Sequence, residues 1–280
     1  MSPKSFFLSG LLLCGLLSSH ASIAQRIVSI GGTVTEIVYL LGAEEQLVAT
    51  DTSSIYPAEA TQTPKVGYQR TLSAEGVLSV RPETLLITPA AGPKKVLQQL
   101  KETGIELVTI NTYASKQGIL DSVSQVASAL NKEHEGQVAN QAIEQAFNQL
   151  SPPEIWSTKA PRLLFILQMG GAPMVAGQET GPNALFDMAG AVNAAASIKG
   201  YKALTPEALL LAQPDAIVVT QQGLARAGES SIWELPGMAS TPAGKAHRII
   251  TMDALLALGL GPRTPLAIQY LYTQLEDWAP

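Results

Sequence analysis

The sequence has 280 residues, 46% hydrophobic and 15% charged, with a formal net charge of −5. That is enough chain for one large domain or two lobes of about 100–150 residues, each with a buried core. The acidic balance excludes a nucleic-acid binder, which would carry a basic footprint.

The first 24 residues read as a secretory signal peptide: Lys4, an apolar run from Phe6 to Leu17, then small residues. The run is too short to span a bilayer, and Ser22 and Ala24 suit the −3 and −1 positions of a cleavage site. Ala21 is a second cut point. Cys14, the only cysteine, is preceded by Leu13 rather than by the small residue that a lipidation signal wants. Lipidation of Cys14 stays open; cleavage after Ala24 leaves no cysteine and a net charge of −6, and implies export to the periplasm.

From residue 25 onward, short apolar runs alternate with helical patterns. Ile27–Ile30 is predicted as a strand, followed by a glycine turn and a helix ending at Gly42, capped by Thr33 or Thr35. Strands follow at 46–50 and 84–88, the second after a short helix. A helix over 93–104 closes at Gly104, and another strand covers 105–110. This alternation predicts α/β architecture with parallel, doubly wound sheets. Ile119, Leu120, Val123, Val126, Ala127 and Leu130 keep helical spacing, and Val138, Ile143, Phe147 and Leu150 resume it. The stretch 115–150 is predicted as one long connecting helix, or two broken near Gly136, and Pro152 and Pro153 stop it. Strands resume at 162–167, 216–220 and 247–251, with helices near 183–189 and from about Pro265 to Trp278.

Residues 72–88, LSAEGVLSVRPETLLIT, align without gaps on 204–220, LTPEALLLAQPDAIVVT. Leu72, Glu75, Leu78, Pro82 and Thr88 are identical to Leu204, Glu207, Leu210, Pro214 and Thr220. Even the approaches match, as GYQRTL and GYKAL. The repeat predicts two equivalent lobes, an N-terminal one over 25–114 and a C-terminal one over 151–280, with a cleft between them.

Enzyme signatures are missing: there is no G-x-S-x-G elbow and no H-E-x-x-H. The GGTVTE stretch is explained by a tight turn rather than by a dinucleotide. His134 lies in a polar stretch and His247 at a strand start, too few histidines for the usual zinc clusters. Tyrosine is the more suitable ligand: a phenolate is a hard anionic donor for ferric iron and a known axial heme ligand. Free phenol ionises near pH ~10, so a bound ferric ion or a neighbouring cation must favour the anion. Tyr68, two residues before Arg70, fits that role; on residue type alone it also fits a tyrosine at the rim of a core.

The segments VGYQRTLSAEGVLSVRPE, PMVAGQETGPNALFDMAGAVNAA, GYKALTPEALLLAQPDAIVVT and LPGMASTPAGKAHRIITMDALLALGLGPRTPLAI resemble the periplasmic heme-binding proteins of bacterial heme ABC importers. That group falls within the helical-backbone (class III) substrate-binding proteins, which also carry cobalamin and ferric siderophores. The resemblance spans the chain after the leader. It implies two Rossmann-like lobes joined by one long helix, with heme as transported ligand and no catalysis. It implies Tyr68 as the axial ligand of heme iron. Arg70, Arg226 and Arg263 are then candidates for the heme propionates or for orienting the phenolate, and Tyr201 and Met169 for contact with the porphyrin. Some relatives have a histidine where this chain reads ILQMGGAPM, so a second protein ligand or a stacked second heme is not expected. The implied partners are an ABC permease dimer with its ATPase, with an outer-membrane heme receptor upstream and no nucleic acid, and the carrier is expected to be a monomer. Glu75 and Glu207 would dock one lobe each onto the permease; the alternative reading of both is a carboxylate in the first turn of a helix, where the dipole favours it. A siderophore or cobalamin carrier is the alternative within the fold, and an exported α/β enzyme is the rival outside it.

Overall fold

A computed structural model describes residues 25–168 and 171–277. The leader, Cys14, Met169 and Trp278 lie outside the described residues. The chain enters through β1 (Ile27–Ile30), α1 (Gly32–Leu40), β2 (Leu47–Thr50), α2 (Ala74–Leu78), β3 (Thr84–Ile87), α3 (Lys94–Glu102) and β4 (Glu106–Thr109). The four strands form one parallel sheet in the order β2-β1-β3-β4. Strands β1 and β3 are buried along their whole length, because helices cover both faces of a parallel sheet. Val34, Ile37 and Leu86 pack on one face, and Val28, Val77, Leu85 and Leu100 on the other.

Helices α4 (Lys116–Ala129) and α5 (Glu133–Asn148) follow. They correct the expectation of one long helix. The chain breaks at Leu130–Lys132, not at Gly136, and the two helices fold back on each other as a hairpin. Asn140 Nδ2 donates to the Leu120 carbonyl at 3.1 Å, and Lys116 reaches Asn148 at 3.2 Å. Asn131 takes a left-handed φ of 55°, the conformation that ends a helix. Both helices turn their apolar sides to the same lobe-1 cluster, so the helical spacing runs on through the turn. Phe147, near the end of α5, packs against the cores of both lobes and makes α5 the connecting element.

The second lobe contains β5 (Arg162–Leu167), β6 (Met174–Ala176), α6 (Gly181–Ala189), β7 (Val192–Asn193), β8 (Tyr201–Ala203), α7 (Pro206–Ala212) and β9 (Ala216–Thr220). It continues through α8 (Gln221–Ala227), α9 (Ser230–Trp233), α10 (Pro242–Ala246), β10 (Ile249–Met252), α11 (Ala254–Leu258) and α12 (Thr264–Gln274). Its sheet runs β10-β9-β5-β6-β8, with β7 beside the start of β5. The β10, β9 and β5 core is parallel as predicted, but β6 and β8 add an antiparallel edge that three-residue runs do not announce.

The internal repeat is structural. Ser73 and Thr205 cap α2 and α7, accepting from the backbone N–H groups of Gly76 and Ala208. Val77 and Leu209 are fully buried at matching positions. Arg81 and Gln213 both leave their helices at left-handed φ, 47° and 41°. Thr33 and Thr35 are not caps: α1 begins on Gly31, and both threonines sit inside the helix. Thr33 Oγ1 instead donates across the lobes to the Gly259 carbonyl at 2.8 Å.

Candidate functional site

In open α/β sheets, ligands bind beyond the carboxyl ends of the parallel strands. In lobe 1 that rim is built on Asp51, a fully buried residue just after β2. One carboxylate oxygen accepts from Gly31 N at 3.0 Å and Ser54 Oγ at 2.8 Å. The other accepts from Ser53 N and Ser53 Oγ at 3.0 and 2.7 Å. Gln69 docks on this knot: its Nε2 donates to Ser53 Oγ at 3.3 Å, and its Oε1 accepts from Thr88 Oγ1 at 3.0 Å. Gly92 N donates to its carbonyl at 2.8 Å. Gln69 thus turns inward and pins the segment, which leaves Tyr68 and Arg70 on either side of it exposed. Sequence reading passed over Asp51, Ser53, Gln69 and Thr88, since ordinary polar residues in a loop carry no motif.

Tyr68 follows Gly67, whose φ is 107°, and Tyr201 follows Gly200, whose φ is 69°. A side chain at either glycine would meet no atom within 4 Å, so backbone conformation, not crowding, calls for glycine there. The two tyrosines stand at equivalent places in the two lobes and are nearly equally exposed, at 38% and 37%. Burial pushes the Tyr201 phenol above its ordinary pKa, and the Arg70 guanidinium pulls it part of the way back. That influence reaches Tyr201 from a residue of the other lobe, 131 positions earlier in the sequence.

The remaining candidates separate. Arg226 lies exposed in the last turn of α8, which leaves the carboxyl end of β9. No carboxylate pairs with Arg70 or Arg226 among the described residues. Arg263 is a correction to the propionate candidates. Its Nε and Nη2 donate to the two carboxylate oxygens of Glu36 at 3.0 and 3.1 Å, and its guanidinium lies 3.4 Å from the centre of the Tyr56 ring. The fork is already used in joining α1 of lobe 1 to the start of α12 in lobe 2. Met169 lies outside the described residues. Glu75 and Glu207 are exposed at the second position of α2 and α7, unpaired with any cation among the described residues. His247 ends α10 rather than beginning a strand, its ring 4.9 Å from that of Trp233. Among the described residues, no three His, Cys, Asp or Glu side chains converge as a metal site.

Two lobes, each built on a sheet with a parallel core, are the frame of a binding protein, and residues 27–256 match the model of the family described as periplasmic binding protein. The chain belongs to that family. Its members serve ABC transporters as substrate-binding components and are not enzymes. The fold is similar to the periplasmic heme-binding protein RhuT from Roseiflexus sp. RS-1 in apo form. That match has 36% identity and a TM-score of 0.84, covering 91% of this chain and 98% of the other. HutB of Vibrio cholerae, also a periplasmic heme-binding protein, matches at 36% identity and a TM-score of 0.80, over 90% and 99% of the two chains. By sequence, a vitamin B12-binding protein of Vibrio vulnificus (strain CMCP6) is 26% identical over 94% of each chain. These similar proteins thus include binders of two tetrapyrrole ligands.

Proposed function

We propose that this protein captures ferric heme in the cleft between its lobes, in the periplasm after loss of its leader, and delivers it to an ABC permease dimer with its ATPase. The observation that carries the reading is the pair of exposed Gly-Tyr turns, Gly67–Tyr68 and Gly200–Tyr201, at equivalent places in the two lobes, beside an Arg70 with no carboxylate partner among the described residues. Heme presents a positive ferric centre in an apolar plane with two propionates at one edge. Tyr68 supplies the axial phenolate. Arg70 favours the anion or pairs with a propionate, and Arg226 is the further cation at the rim. Tyr201 stands on the lobe-2 wall against the porphyrin. Glu75 and Glu207, one on each lobe, meet basic residues of the permease. An outer-membrane receptor supplies the heme upstream, and the carrier works as a monomer.

The second reading is a cobalamin carrier of the same fold, favoured by the likeness to vitamin B12-binding proteins. An optical titration of residues 25–280 with ferric heme and with cyanocobalamin, beside Tyr68→Ala, separates the two. The expected outcome is a saturating Soret change at one heme per protein, with the ferric tyrosinate charge-transfer band lost in Tyr68→Ala. Saturable binding of cobalamin but not of heme overturns the proposal. Heme binding that survives unchanged in Tyr68→Ala moves the iron ligand elsewhere, with Tyr201 and Met169 next to be replaced.

A further inference from the structure

The docking helices differ on one face. In lobe 1, Glu75 is followed one turn later by Leu78, 39% exposed, and Ser79. In lobe 2, Glu207 is followed by Leu210, 43% exposed, and Leu211, 84% exposed. Residues three and four apart share a helix face, so each glutamate stands beside a bare leucine, and lobe 2 has a second. Lobe 2 also has a socket there. A cavity of about 600 Å3 opens between α7 and the 192–198 loop, lined by Leu164, Val175, Ile198, Leu204 and Ala208, with Leu211 at its mouth. Glu207 directly precedes Ala208 and lies one turn before Leu211, two residues that line the recess, so its carboxylate projects from the same helix beside it.

We propose that this recess receives an apolar side chain of the permease subunit that meets lobe 2, next to a basic residue that pairs with Glu207. Lobe 1, with Ser79 in place of Leu211, meets its subunit through charge and Leu78. This rests on the docking reading of Glu75 and Glu207. A carboxylate beside an apolar hollow fits a partner that carries a cation flanked by an apolar side chain, and such a contact would also cover Leu211, which is 84% exposed. Because the two lobes offer unequal apolar surface to a two-fold partner, lobe 2 holds longer and lobe 1 lifts first.

Residues 25–280 contain no cysteine, so a single engineered thiol reports cleanly. Leu211→Cys and Ser79→Cys, each labelled with bimane, are mixed with the cognate permease–ATPase complex in lipid nanodiscs. The expected result is a blue shift at 211 on docking and little change at 79. Leu211→Ser should raise the dissociation rate roughly tenfold with little change in association, as for a contact made after encounter. An unchanged dissociation rate for Leu211→Ser together with no shift at 211, while Glu207→Lys abolishes docking, overturns the recess and leaves the docking reading standing. Docking unaffected by Glu75→Lys and Glu207→Lys together overturns both. A label at 211 already blue-shifted before the complex is added means that a free apolar ligand fills the recess, and also overturns the proposal.

Discussion

Arg263 and Glu36 show how much one side-chain pair decides. The Glu36 carboxylate is only 5% exposed, and burial raises its pKa above the ordinary value even though Arg263 opposes the shift. Breaking such a pair from one side leaves an uncompensated buried charge, so Arg263→Met should cost about 3–5 kcal/mol. The pH dependence follows from the sign. A carboxyl with a raised folded-state pKa holds its proton more tightly in the folded chain, so its contribution grows as pH falls towards its unfolded pKa. Removing Arg263 removes the lowering influence and strengthens that trend. The deficit of Arg263→Met, read from urea unfolding, should therefore shrink between pH 7.5 and pH 5.0. Equal deficits at the two pH values would show that Glu36 is not the group left stranded.

Among the elements, the α4–α5 hairpin depends on close approach at one point. A Cβ built on Gly136 would lie 2.5 Å from the Ala127 Cβ on the facing helix. Gly136→Val must push the helices apart, and overpacking of this kind costs about 1–3 kcal/mol. For a chain of this size each kcal/mol lowers Tm by about 2–4 °C. Calorimetry should show that drop for Gly136→Val and a smaller one for Gly136→Ala. Adding Ala127→Gly should return part of the loss in the Gly136→Ala background; no recovery would mean that the helices tolerate the contact. Helix α5 then carries Phe147 to the border of the two cores, so a looser hairpin also loosens the link between lobes.

At the scale of the whole molecule, two ties between the lobes stand out among the described residues. Helix α5 is one tie, and the contact of α1 with the α11–α12 corner is the other, through Glu36–Arg263 and Thr33–Gly259. Two ties at separate places oppose rotation about either one. Spin labels at Gln98 and Lys245, exposed on opposite lobes, should change separation by less than about 2 Å when ferric heme binds. Arg263→Met should broaden that distance distribution. A closure of many ångströms in the unmodified chain would show that the contact at Arg263 opens in the cycle.

The sequence by itself determined what is local. Alternating apolar runs and turn residues fixed the parallel cores of both sheets. The 17-residue repeat fixed equivalent capped helices, because a cap and its first-turn carboxylate act within four residues, as does Pro206 in the second helix. What only the tertiary structure decided depends on partners far apart in the chain. Arg263 looks like any surface arginine until the fold brings Glu36 to it across 227 positions. The influence of Arg70 on the Tyr201 phenol likewise crosses from one lobe to the other. One apolar spacing served both a continuous helix and a hairpin, since both helices bury the same side in the same core; the left-handed turn at Asn131 and the close packing of Gly136 on Ala127 belong to the hairpin alone.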